Sequence, residues 1–198
     1  MTQAADDRFF QDLAEEDPEE VCRRAMCAYD PEAGMYSLSV WGQEYAVYPH
    51  RSKVDAIGKA PPDKRYYMGL FIVHYLLGAK ETPLRNQWIS EKDIPGGPTF
   101  FRGPHLIPTH LISDKFVNDT EMFKNRCQEL GGVPMDMADE AFRFDIAPRI
   151  PVAVLYWTGD EDFPPEAKIL YDKSITEHLA TDIVYALAVA ICERISQV

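Results

Sequence analysis

Three adjacent carboxylates, Asp160, Glu161 and Asp162, lie between two apolar stretches of the chain. Carboxylate oxygens bind hard cations, and like charges held close together shift a pKa in a way that suits acid–base chemistry. Because successive residues of an extended chain point to opposite sides, Asp160 and Asp162 are the two that could converge on a metal ion. The residues that would complete an EF-hand loop are absent. The alternative is a solvated turn, made rigid by Pro164 and Pro165.

A second candidate site lies in the segment 83–112, which five prolines and three glycines make irregular. Long loops carry binding residues more often than regular elements do, and an arginine beside aromatic and imidazole rings could line a small-ligand site. The alternative is a connector that packs over the core. The candidate ligand-binding residues are Phe100, Phe101, Arg102, His105, His110 and Trp157. An enzymatic alternative is a metal-assisted hydrolase or lyase that uses Asp160, Asp162 and a histidine such as His105.

Motifs of established catalytic classes are missing from the sequence. It contains no GxSxG, CxxC, HExxH, GxGxxG or GxxxxGK[ST] pattern, so no recognisable motif encodes a cofactor and an enzyme is not the favoured interpretation. Cys22 and Cys27 are five residues apart on a predicted helix. That spacing separates them by about 140° around the helix axis, and we expect them not to converge. The cysteines are therefore interpreted as separate thiols in a reducing cytoplasm.

Charge is distributed unevenly along the 198 residues. The net charge is −12, and residues 1–20 with the segment 159–166 contribute −7 and −4 of it. Such local acidity would repel a phosphate backbone, which argues against a nucleic-acid partner. The first ten residues lack the basic and apolar regions of a signal peptide. The longest apolar stretch, 66–79, is too short to span a membrane, so the predicted location is the cytoplasm.

The predicted elements specify how these candidates are positioned. Periodicity and capping signals indicate helices over 5–16, 17–28, 62–77, 118–130 and 181–195, a hairpin over 34–51, and strands over 138–146, 150–157 and 167–172. Alternating strand–helix units are absent, which predicts an α+β fold with a mostly antiparallel sheet packed by helices. We expect acidic N-terminal helices over 1–30 as an extension of one α+β domain over 31–198.

The C-terminal third resembles a bacterial and archaeal domain family of unknown function. The matching motifs are Gly131-Gly132, Asp139 with Phe142, and the segments 148–151, 157–164 and 170–172. Members of that family are sometimes fused to the iron–sulfur module of corrinoid-protein systems. The resemblance implies a cytoplasmic accessory protein of an anaerobe, with an iron–sulfur or corrinoid protein as partner. It implies no catalytic residue and no cofactor.

The resemblance also indicates that the acidic string is a shaped turn. Gly159 would then supply a special backbone angle, Phe163 would point inward, and Asp160 would accept hydrogen bonds from backbone amides. The favoured function is a binding or accessory domain that acts beside an iron–sulfur or corrinoid redox system. The alternatives are the hydrolase or lyase above and a protein-interaction module whose acidic helices dock on a basic partner.

Overall fold

The computed structural model describes residues 3–58 and 65–197, and within them helices and two antiparallel sheets alternate along the chain. The helices are α1 (Gln3–Glu15), α2 (Pro18–Ala25), α3 (Arg65–Gly78), α4 (Gly97–Phe100), α5 (His110–Phe116), α6 (Thr120–Glu129), α7 (Ile175–His178) and α8 (Thr181–Ser196). The strands are β1 (Ala28–Asp30), β2 (Met35–Val40), β3 (Gln43–Tyr48), β4 (Lys53–Ala56), β5 (Trp88–Ile89), β6 (Val133–Pro134), β7 (Glu140–Ala147), β8 (Ile150–Trp157) and β9 (Glu166–Asp172). The predicted α+β class with antiparallel pairing is confirmed.

The first sheet has the order β1-β2-β3-β4, and the second has the order β5-β9-β8-β7-β6. Every strand pair in both sheets is antiparallel. In the second sheet β8 is central and buried along its length apart from its last residue. The sequence 150–157 is apolar throughout, which is typical of an interior strand covered on both faces.

One core joins the two sheets. Residues of α1, α2, α3, α5, α6 and α8 and of both sheets form a single apolar cluster. Trp41, which follows β2, makes the direct link. Its backbone N–H donates to the carbonyl of Ile146 at 2.8 Å, and its indole N–H donates to the carbonyl of Leu130 at 2.9 Å. The acidic N-terminal helices are part of this packing, because Leu13 and Val21 are fully buried.

Capping residues explain where two helices begin. Asp17 accepts a hydrogen bond from the backbone N–H of Glu19 at 3.0 Å, and Pro18 occupies the first turn of α2. At α6 the cap is Asp119, which accepts from the N–H of Met122 at 2.8 Å, one residue later than the predicted start at 118. Asn118 is left free for a contact described below.

Two sequence predictions for element boundaries are wrong. The segment 83–112 is not wholly irregular, because it contains β5, α4 and the start of α5. The predicted helix over 17–28 ends at Ala25, because Met26 adopts a left-handed conformation with φ 55° and turns the chain. The predicted start of the third helix at 62 lies outside the described residues. Among the helices that the structure describes, none combines the length and apolar character that a bilayer crossing requires.

Candidate functional site

The outer face of the second sheet, which we define as the face opposite the main core, is the candidate site. Strict alternation along β7 sends Phe142 and Phe144 into the core and Ala141 and Arg143 to the outer face, as the sequence predicts. On β8 the same alternation places Pro151, Ala153, Leu155 and Trp157 outward. The outward residues of this central strand therefore include no polar side chain.

Apolar side chains from neighbouring strands surround these residues. The cluster consists of buried Ala141, Ala153 and Leu155 with the partly exposed Trp88, Met135, Met137, Trp157 and Leu170. Every member belongs to the second sheet or to the segment 135–137, and no residue of a described helix is among them. Antiparallel sheets commonly turn a polar face toward water, so an apolar outer face bearing two tryptophans and two methionines is unusual.

Charged residues border this apolar cluster. Arg143 lies on the face itself and is paired with Asp145, with 2.8 Å between a guanidinium nitrogen and Asp145 Oδ1. Lys168 lies on the face at β9. The acidic connection between β8 and β9 begins immediately after Trp157, and its Asp160, Glu161 and Asp162 are all exposed. The rim next to Trp157 is therefore strongly negative.

Asp160 shapes the acidic connection. Its Oδ1 accepts hydrogen bonds from the backbone N–H groups of Asp162 and Phe163, both at 2.8 Å, which confirms the predicted capping role. The backbone N–H of Asp160 in turn donates to the carbonyl of Phe163 at 2.9 Å. The Asp160 carboxylate is thus engaged by its own turn.

The other two predictions for this turn are wrong. Phe163 does not anchor inward: it is 70% exposed. Gly159 does not adopt the left-handed conformation. A Cβ there would instead lie 2.7 Å from both the Phe163 carbonyl oxygen and the Pro165 nitrogen, so the turn requires glycine for space.

Two side chains fasten the connection to the rest of the fold. Asn118 accepts from the Gly159 N–H at 2.8 Å and donates to the Gly159 carbonyl at 3.3 Å. Asp139 accepts from both the backbone N–H and the hydroxyl of Thr158 at 2.8 Å. These hydrogen bonds from Thr158 lower the pKa of the Asp139 carboxyl below its usual value. The acidic rim is therefore held in a defined shape beside Trp157.

The structure divides the predicted ligand-binding residues between two places. Phe100 stacks on His105 with 4.5 Å between ring centroids, and the ring of Tyr185 contacts both. Phe101 is buried and lines a shallow cavity of about 140 Å³. Trp157 belongs instead to the outer-face cluster.

The cationic members of that predicted set contribute little to a common wall. Arg102 and His110 are exposed, and His110 is the first residue of α5. Since His105 covers one face of the Phe100 ring, a planar ligand would have to displace it to stack there.

The predicted metal ligands Asp160 and Asp162 are joined by no third ligand in the described part of the chain. Among the described residues, no three His, Cys, Asp or Glu side chains lie close enough to hold a metal ion. His105 therefore forms no such group with Asp160 and Asp162.

The structure brings together two cysteines that the sequence does not predict to meet. Cys22 and Cys27 were expected to diverge on one helix, but α2 ends before Cys27, and their Sγ atoms lie 3.8 Å apart. The 140° separation holds only within a continuous helix, and α2 ends at Ala25. Gly or Asn is the usual signal for such a left-handed helix end, and neither occupies position 26.

The outer face and its acidic rim lie within a segment that a family model also covers. Residues 17–194 match the family described as a domain of unknown function, DUF3786. The chain belongs to the DUF3786 family. No curated protein matches the chain, and no solved structure does. The DUF3786 match includes the whole outer face, the acidic connection and the Cys22–Cys27 pair.

Proposed function

We propose that this DUF3786 protein is a cytoplasmic accessory domain that binds a partner protein through the outer face of its second sheet. The observation that carries the proposal is the apolar cluster formed by Trp88, Met135, Met137, Trp157 and Leu170. Tryptophan and methionine are enriched in the cores of protein interfaces, and tryptophan dominates binding energy when it is buried there.

The chemistry of the partner follows from the rim. Because Asp160, Glu161 and Asp162 are exposed next to Trp157, a complementary partner carries an apolar patch bordered by lysine or arginine. Phe163 adds an exposed aromatic ring at the tip of the same connection. Salt screens exposed charges, so the association rate of the complex should fall as ionic strength rises.

The identity of the partner is the finer part of the proposal. The family resemblance points to an iron–sulfur or corrinoid protein, and the fusions described for that family motivate the choice. In this proposal the DUF3786 domain supplies the docking surface and the partner supplies the redox centre. Neither nucleic acid nor a membrane has a role in it.

Anaerobic affinity capture from an extract of the source cells tests the proposal. The full chain is compared with a Trp157→Ser, Leu170→Ser double variant, and the captured complex is analysed by absorbance spectroscopy and metal content. We expect wild-type protein to retain a partner with a visible chromophore at low salt. The double variant should lose at least 90% of that partner, since about 2 kcal/mol or more is typical of interface hot spots.

A matched control separates the outer face from exposed apolar surface in general. Leu106 is 67% exposed and lies in the segment between α4 and α5. A Leu106→Ser variant should retain the partner fully. Equal capture by wild type and double variant would refute the docking face. Loss in the double variant, with a partner that holds neither metal nor corrinoid, would retain the docking face but refute the redox partner.

A further inference from the structure

The junction between α2 and the first sheet brings two cysteines together. Met26 adopts φ 55° and ψ 47° after the last residue of α2, and the chain then turns back. The backbone N–H of Cys27 donates to the carbonyl of Cys22 at 3.2 Å, which is the six-residue bond of a Schellman turn. This closed turn fixes both backbones and places the two Sγ atoms 3.8 Å apart.

These two thiols differ from the other two in accessibility. Cys127 and Cys192 are fully buried, whereas Cys22 and Cys27 are each partly exposed. Cys22 and Cys27 also line an open cleft of about 620 Å³. The remaining lining residues are Asp17, Pro18, Glu19, Ala28, Tyr29 and Pro31. A small reagent can therefore reach the pair from solvent.

The pair is nearly in position to bond. An S–S bond is about 2.05 Å long, so the Sγ atoms of Cys22 and Cys27 must approach by roughly 2 Å. Rotation about the Cα–Cβ bonds can supply a displacement of that size. The backbone hydrogen bond between the same two residues already holds their main chains at close range.

We propose that Cys22 and Cys27 form a reversible disulfide by exchange with a small disulfide compound that enters this cleft. The thiolate of one cysteine attacks a sulfur of the compound, forms a mixed disulfide and releases the first thiolate. The thiolate of the second cysteine attacks the mixed disulfide and releases the other. The two protein thiols lose two protons and two electrons, and the compound is reduced to two thiols.

The surroundings give the two cysteines different roles. Burial raises the pKa of Cys27 to about 12. Burial also raises the pKa of Cys22, but the hydrogen bond that the Cys27 thiol donates to Cys22 Sγ opposes the rise. Cys22 is therefore the attacking residue and Cys27 the resolving residue. Since the thiolate is the nucleophile, the exchange accelerates as pH increases.

Charge around the cleft selects the compound. Asp17 and Glu19 line it, and the Asp17 carboxylate accepts a hydrogen bond from the backbone N–H of Glu19. An acidic entrance attracts cations and repels anions. The expected reactant class is a small cationic or neutral disulfide, and cystamine, which is dicationic, is the appropriate probe.

A metal site explains the pair less well. Two thiolates would leave a tetrahedral ion such as Zn²⁺ two ligands short. No further His, Cys, Asp or Glu completes a group of three among the residues that the structure describes. Disulfide formation needs no third group, which favours it over metal binding.

The test is reaction of the reduced full chain with cystamine under anaerobic conditions, followed by acid quenching and thiol titration. Free thiols should fall from the four of the sequence to two, and dithiothreitol should restore all four. Mass spectrometry of a digest should identify a Cys22–Cys27 cross-link, with the hydrodynamic size of the protein unchanged. Oxidised glutathione, which is anionic, should react at least several-fold more slowly at low salt.

Variants separate the two roles. Cys27→Ser should stop at a stable mixed disulfide on Cys22, Cys22→Ser should react roughly tenfold more slowly, and Cys127→Ala should behave as wild type. Four free thiols after cystamine treatment would overturn the proposal, as would a cross-link between chains. Stoichiometric Zn²⁺ that protects both thiols from alkylation would replace it with a metal site.

Discussion

On the inner face of the second sheet, Phe142, Phe144 and Tyr156 are at most 2% exposed. Phe142 and Tyr156 contact Phe123 of α6, and Phe144 contacts Trp41. On the outer face, Trp157 and Leu170 are only partly covered, and they contact other residues of the sheet and the segment 135–137. Strands β7, β8 and β9 supply both faces, because successive side chains along each strand point to opposite faces. The inner face therefore holds apolar residues that stabilise the fold, whereas the outer face holds apolar residues that no described helix covers.

The largest expected effect is on the inner face. Phe142 is buried, and its ring lies 5.9 Å from that of Phe123 on α6. Phe142→Ala should lower the free energy of unfolding by about 3–5 kcal/mol, because a cavity remains where the ring packed. Urea unfolding, monitored by circular dichroism, measures this change in the free energy of unfolding. The matched control is Arg143→Ala on the next, outward position, which should change stability by about 0.5 kcal/mol or less. Equal losses for the two variants would mean that the inner face contributes no more to stability than the outer face.

The second effect concerns Asp172, a buried carboxylate at the end of β9. Asp172 accepts hydrogen bonds from the N–H groups of Arg85 and Ser174, both at 2.9 Å. Asp172→Ala should cost about 1–3 kcal/mol in urea unfolding, because these buried donors lose their acceptor. A similar cost for Glu166→Ala, an exposed acid on the same strand, would contradict this reason.

The pH dependence of that carboxylate has a definite sign. Burial favours a higher pKa for Asp172, but the hydrogen bonds from Ser174, Arg85 and Asn86 outweigh it and lower the pKa. The folded pKa therefore lies below the unfolded value of about 3.9. Its contribution to stability is complete above that value and is lost as pH falls through the folded pKa. Unfolding curves of wild type and Asp172→Ala should converge toward low pH, and curves that stay parallel would refute the assignment.

A smaller stability effect is expected for the outer face itself. Trp157→Ala should lower the free energy of unfolding by roughly 1 kcal/mol, because only part of the indole surface is buried. The same substitution should strongly reduce partner capture. A loss of stability comparable to that of Phe142→Ala would mean that the outer face is a second core rather than a binding surface.

The smallest effect is expected in the acidic connection. Asp160→Ala removes the acceptor for the N–H groups of Asp162 and Phe163 and should lower the melting temperature slightly. Glu161→Ala should leave the melting temperature unchanged. Both variants should weaken partner association to a similar extent, since each removes one rim charge. Differential scanning calorimetry and the capture experiment together check the distinction.

Regular periodicity made much of this fold predictable. Alternation over 141–146 assigned Phe142, Phe144 and Ile146 to one face, and the continuous apolar run 150–157 indicated an interior strand, as observed. Short elements such as β5 escaped prediction because two residues carry no period. The strand exists through its pairing with β9, a contact between residues far apart in sequence.

The candidate sites were harder to predict for a related reason. Asp160 as a cap follows from local turn chemistry, which the sequence contains. The exposure of Phe163 has no local sequence signal, and the approach of Cys22 to Cys27 depends on one left-handed residue, Met26. The outer face was missed because Trp88, Met135 and Leu170 come from three separate segments. Only the pairing of strands makes them neighbours.

The position of Trp41 has a consequence for the order of folding. Its partners Leu130 and Ile146 lie roughly a hundred residues further along the chain, so joining them closes a very large loop. The first sheet consists of successive hairpins and can form through local contacts. We expect the environment of Trp41 to become native only after that sheet exists. Its docking against the second sheet would then mark a late step in stopped-flow refolding.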